Sequence, residues 1–158
     1  MKLIRLLDKT LIAMLALLMV AMVVSVVWQV LSRYLFVVPA AWTEELARFL
    51  LIWIGMLGGA FAYRSGSHLG LDLLPEKLQG DSKILLKRVT HLICLLFAAS
   101  VLVVGGGSLV SMTWELKQYS AAMGMPIAFV YSVIPASGLL ICLFATIAIV
   151  SASKEESH

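Results

Sequence analysis

Charged residues in this chain fall into clusters separated by long apolar runs. No Asp, Glu, Lys or Arg occurs from Thr10 to Ser32, from Phe49 to Tyr63, from Val89 to Trp114 or from Pro126 to Val150. A helix needs about 20 apolar residues to cross the ~30 Å hydrocarbon core of a bilayer. The first, third and fourth runs are long enough. The second is too short, so its helix must extend backwards and carry Glu44, Glu45 and Arg48 with it. The pattern predicts an all-α integral membrane protein with four transmembrane helices. They fall approximately at 10–34, 41–63, 83–114 and 126–150, in one membrane domain covering 1–158 with a polar tail at 151–158. The first run exceeds the about 7–15 apolar residues of a secretory signal, so it is expected to stay as a membrane helix.

The connections carry their own signals. Phe36 to Ala41 reads as a tight turn, and Pro39 lacks the donor that a first helical turn leaves unused. Between the second and third helices, Ser65, Gly66 and Gly70 break the helix. Leu71, Leu73, Leu74 and Leu78, with Pro75 and Gly80, predict a short interfacial segment lying on the membrane surface. Asp81 and Ser82 are placed to cap the third helix. Gly105, Gly106 and Gly107 loosen its far half and allow a kink or the approach of a neighbour. After the connection from Glu115 to Met125, Pro126 can start the fourth helix. Pro135 removes one donor in mid-membrane, which predicts a kink and a carbonyl that Ser132 or water must serve.

Composition and charge narrow the class. The chain is 61% hydrophobic and 13% charged, against about 45–50% and about 25% in soluble domains. The net charge of +3 calls for no nucleic-acid partner, because the basic residues border apolar runs, where they set orientation. Lys2, Arg5, Lys9, Arg64, Lys77, Lys83, Lys87, Arg88 and Lys154 fall on one side, nine against Arg33 and Lys117 on the other. The positive-inside rule therefore puts both termini in the cytoplasm.

The start of the second helix is the candidate site. Along the axis Arg48 lies ~24 Å from Arg64 and Glu44 ~30 Å, which places the acids at one membrane face and Arg64 at the other. Arg48 is spaced to pair with Glu44 at i,i+4 or Glu45 at i,i+3. Trp42, Glu44, Glu45 and Arg48 form an outer rim for a partner contact, or else a self-neutralising helix end with Trp42 as interfacial anchor. Farther along, Gly55 and Gly59 form a G-x-x-x-G pair, a spacing that lets another helix approach closely. Cys94 and Cys142 lie alone inside apolar stretches and read as small packing residues. His91 reads as a hydrogen-bonded or snorkelling histidine near a helix end.

No acid or base occupies the middle of any helix, where a transport site would hold its ion or substrate. No catalytic set, metal-ligand pattern or phosphate loop can be assembled from the sequence. These gaps weigh against an autonomous small transporter and against a membrane enzyme or redox protein. The residues by themselves predict a membrane accessory subunit without cofactors.

The ordered series Arg33-Tyr34, Trp42-x-x-Glu45-x-x-Arg48, Gly58-x-Ala60, Arg64-x-Gly66-x-His68 and Asp72 resembles the small membrane subunit of tripartite ATP-independent periplasmic (TRAP) transporters. Gly124-x-Pro126, followed by Tyr131 and Pro135, resembles the same family's closing motif. The likeness runs from Leu3 to about Val150. It implies a complex in which a periplasmic binding protein captures an organic acid and a large membrane subunit imports it with a sodium gradient. Sodium would bind on that large subunit, and substrates would be of the C4-dicarboxylate or sialic acid class. This chain would scaffold the large subunit in the bacterial inner membrane and help dock the binding protein. The resemblance assigns it no catalytic, substrate-binding or metal-binding residue.

Overall fold

The computed structural model describes residues 2–35, 41–65 and 81–155, with side chains at 5–35, 41–65, 86 and 88–150. Helix α1 spans Lys2–Leu35 and α2 spans Ala41–Arg64. The third rod begins as α3, Asp81–Phe97, widens into a π-helical segment over Ala98–Gly105, and ends as α4, Gly106–Glu115. The fourth comprises α5, Ile127–Tyr131, and α6, Val133–Glu155. Among the described residues four stretches are long and apolar enough to cross a membrane: Arg5–Leu35, Ala41–Arg64, Arg88–Glu115 and Ile127–Val150. The protein is therefore an all-α, multi-pass membrane protein. An even number of crossings leaves both chain ends on one side, called here the termini side. The surface segment expected within 71–80 lies outside the described residues.

Helix α1 lies antiparallel along α2. Asp8 Oδ1 sits 3.5 Å from Arg64 Nε at one end, and the Ser25 hydroxyl donates to Thr43 O at 3.3 Å farther along. Helix α2 lies along α6, and α6 lies along α3 and the π segment. The spans thus stand in a row, first, second, fourth, third. Among the described residues no other pair of these long rods makes an extended contact. Helix α1 meets α2 alone in this way, which explains why Val20, Val23, Val24 and Leu17 all remain exposed.

Packing between the rods runs through small residues. Ala60, Ala98, Ala128, Ala145, Thr43 and Ser137 are buried, whereas most large aliphatic side chains point outward. In lipid little hydrophobic force drives helices together, so association depends on close backbone approach. The third and fourth rods show this most clearly. A Cβ on Gly106 would lie 2.8 Å from Ile134 Cγ2 and 3.1 Å from Pro135 Cδ. One on Gly138 would lie 2.7 Å from Leu102 Cβ. The glycine run thus admits a neighbour, and that neighbour is the Ile134–Pro135 step of the fourth rod. The Gly106 amide reaches back five residues to Val101 O, the wide turn that defines a π segment.

The fourth rod is interrupted at Ser132, three residues before Pro135. Ser132 does not serve the carbonyl freed by Pro135; its hydroxyl donates to Phe129 O at 2.6 Å. Two buried hydroxyls of the third and fourth rods are satisfied within their own helices, Ser137 by Ile134 O at 2.8 Å and Thr113 by Leu109 O at 2.6 Å. That local bond removes the cost of an unpaired polar group in lipid.

On the termini side α2 collects contacts from every other span. Arg64 pairs with Asp8 and lies 5.7 Å over the Phe144 ring. Tyr63 Oη sits 2.7 Å from His91 Nδ1. His91 is therefore hydrogen-bonded across two spans.

Candidate functional site

The first two turns of α2 divide their charges between two directions. Glu44 and Arg48 form an exposed i,i+4 ion pair on the outside of the row. Glu45 turns the other way, into the connection between α4 and α5. Its carboxylate accepts from the Ser120 hydroxyl and from the amides of Ala121, Ala122 and Met123, at 3.1, 3.0 and 3.1 Å. The expected choice between Glu44 and Glu45 as partner of Arg48 is thus settled for Glu44. Helical geometry gives the reason: neighbouring residues point about 100° apart, so only one of the two acids can face Arg48 while the other faces the connection. Trp42 is half-exposed, on a different face from the ion pair.

The connection is a built structure rather than a slack loop. Ser120 N–H donates to Met125 O at 2.9 Å, Gly124 N–H to Ser120 O at 3.0 Å, and Ile127 N–H to Gln118 O at 3.0 Å. Tyr119 and Pro126 form an isolated antiparallel bridge. Gly124 takes φ +65°, which is where glycine is needed to reverse the chain. Successive N–H groups of such a turn converge on a point of positive potential, an anion nest, and Glu45 fills it. Sequence reasoning missed Ser120 and the 121–123 amides because they lie some 75 residues away and carry no side-chain signature.

Lys117 closes α4. Its N–H donates to Trp114 O at 3.1 Å and Gln118 N–H to Thr113 O at 3.3 Å, the paired bonds of a Schellman motif. The residue after the cap in that motif takes a left-handed conformation and is usually glycine; here it is Lys117, at φ 48°.

Gly55 and Gly59 lie on the outward side of α2, continuing the face of Glu44, Arg48 and Leu51. Among the described residues nothing comes within 4 Å of a Cβ built on either glycine, whereas one on Gly58 would touch Leu15 of α1 at 4.0 Å. Among the described residues the G-x-x-x-G pair therefore packs against no other helix. Pro135, the expected kink, packs inward against Gly106.

These observations define a helical multi-pass membrane protein whose charges sit at helix ends. The sequence model of the tripartite ATP-independent periplasmic transporters, DctQ component, matches residues 22–155, and the chain belongs to that family. It is a TRAP transporter small permease subunit, a part of a transporter and not an enzyme. The chain is similar to the isethionate TRAP transporter permease protein DctMQ of Oleidesulfovibrio alaskensis, 31% identical over 75% of this chain and 20% of that protein. It also resembles the sialic acid TRAP transporter small permease protein SiaQ of Vibrio cholerae, 30% identical over 56% of this chain and 51% of that protein. A third relative is the C4-dicarboxylate TRAP transporter small permease protein DctQ of Rhodobacter capsulatus, 27% identical over 64% of this chain and 44% of that protein. The matched part thus spans about half or less of each of these three relatives.

Proposed function

We propose that this chain is the scaffold of a sodium-driven, binding-protein-dependent importer of an organic acid, and that the outward face of α2 seats its large membrane partner. The observation that carries this reading is the contrast among its glycines. Gly106 and Gly138 are filled by the chain's own helices, while among the described residues Gly55 and Gly59, a spaced pair on one face, meet nothing within 4 Å, as does the single Gly107. Open small-residue faces in membrane helices are where another helix packs closely. The single-chain DctMQ relative supports a large-subunit partner. The substrate class follows the relatives, whose names include sialic acid and C4-dicarboxylate. The division of lysines and arginines supports an inner-membrane orientation with cytoplasmic termini and a periplasmic turn at 120–123. The binding protein would meet the subunit on that periplasmic side. Sodium and substrate sites belong to the large subunit.

Reconstitution tests this. Proteoliposomes holding the large subunit, this chain and an added binding protein should take up labelled organic acid under an inward sodium gradient. Omitting this chain should reduce uptake to background. Uptake by this chain alone would make it an autonomous transporter and overturn the proposal.

A further inference from the structure

The third and fourth rods lose helical continuity at one level. The π segment Ala98–Gly105 ends at Gly106, whose amide faces both Val101 O and Val103 O. A donor shared in this way can change partner without losing a bond. In the fourth rod α5 stops before Ser132, and Pro135 has no N–H to return to Tyr131 O. The two interruptions touch, since a Cβ on Gly106 would lie 3.1 Å from Pro135 N. Sharp bends in helices occur at π bulges and at proline. Here both stand side by side, so the two rods can bend together about one axis.

Beyond that level, residues 106–131 form a hairpin that holds itself. Helix α4 packs along α5, and the connection is closed by Ile127 N–H on Gln118 O and by the Tyr119–Pro126 bridge. At its tip the hairpin meets α2 through the Glu45 carboxylate, which takes the Ser120 hydroxyl and three amides. Nearer the interruptions, the ring centres of Phe129 and Trp53 lie 5.8 Å apart. Much of α4 faces away from the chain, with Leu109, Met112 and Trp114 all exposed. The termini side is braced more broadly. There Asp8 and Phe144 meet Arg64, and His91 meets Tyr63, so all four spans are joined.

We propose that residues 106–131 swing as one body about the Gly106–Pro135 contact, and that Glu45 is the latch that holds this hairpin against α2. With the latch open, the hairpin tip leaves the start of α2, and the surface opposite the chain termini changes shape. At 1.5 Å per residue Glu115 lies ~14 Å from Gly106, so a bend of about 20° moves it by ~5 Å. This motion lies within the chain and does not depend on the scaffold reading.

Double electron–electron resonance on the full chain in nanodiscs reads it, with Cys94 and Cys142 replaced by alanine. One spin-label pair, at Val30 and Glu115, crosses the latch side; a second, at Ile12 and Leu92, crosses the termini side. All four positions are exposed. The parent should give one narrow distance for each pair. Glu45→Ala should add a second population to the Val30–Glu115 pair, displaced by about 5 Å, and leave Ile12–Leu92 unchanged. Glu45→Gln keeps the side-chain shape and one acceptor, so it should open a smaller fraction, and it serves if the alanine variant fails to fold. Adding Pro135→Ala to Glu45→Ala restores a donor for Tyr131 O and should shrink the second population. An unchanged Val30–Glu115 distance in both Glu45 variants would overturn the latch. Equal broadening of the two pairs would mean general loosening and overturn the hinge, as would a second population undiminished by Pro135→Ala.

Discussion

Glu45 and Lys117 show how much a single position decides in this subunit. Four donors converge on the Glu45 carboxylate, three of them backbone amides that the turn already aligns. Removing it leaves those donors to water. Glu45→Ala should therefore speed hydrogen exchange of the Ala121, Ala122 and Met123 amides by roughly tenfold or more. Glu45→Gln should fall between, because its amide group offers one acceptor and sets a donor against the other N–H groups. Unchanged exchange in both variants would mean that the turn holds itself. Lys117 carries the opposite expectation for stability. Lys117→Gly relieves the left-handed strain and should raise stability by about 0.5–1 kcal/mol in a thermal unfolding assay in detergent. Residue types at the rim were legible in the sequence; their partners were only half so. Local spacing offered Arg48 two acids, and it could not reveal that a distant turn had claimed one of them.

At the scale of helices, the apolar runs located all four spans because hydrocarbon thickness fixes their length. That α2 takes in Glu44, Glu45 and Arg48 was legible for the same reason, since Phe49 to Tyr63 could not cross alone. Less was readable in the third and fourth rods. Gly105 to Gly107 marked a loosened helix, but not the π segment before it or Gly106 as the residue that admits Pro135. Gly138 gave no signal, being a lone glycine in an apolar run. It is nonetheless the tightest contact among the described glycines: its Cβ would lie 2.7 Å from Leu102 Cβ and 3.2 Å from Leu102 backbone carbon. Gly138→Ala should destabilise the subunit by about 1–3 kcal/mol, as overpacking does. Gly55→Ala should leave the isolated subunit's unfolding midpoint unchanged or raised, because helix propensity favours alanine and no neighbour is met. Equal losses in the two variants would contradict this division between inner and outer glycines.

As a whole molecule, the subunit is a row of spans rather than a closed bundle, and this was not legible from hydropathy. Four apolar runs specify crossings, while the order first, second, fourth, third depends on where Ser25, Thr43, Gly106 and Gly138 let backbones meet. The row leaves wide apolar faces, which suits the proposed seat for a larger membrane partner. Orientation is testable by labelling from outside intact cells, in a background with Cys94 and Cys142 replaced by alanine. A cysteine at Ala122 should react and one at Ser65 should not; Ser120 is a poor choice because its hydroxyl serves Glu45. The reverse pattern would invert the topology. The central claim, that the open face of α2 seats the large membrane subunit, is tested most directly by copurification with Gly55→Leu and Gly59→Leu combined. The account predicts that this double variant, with its own unfolding midpoint intact, loses most of the large subunit that the parent brings down. A folded double variant that retains its partner at the parent yield would contradict it.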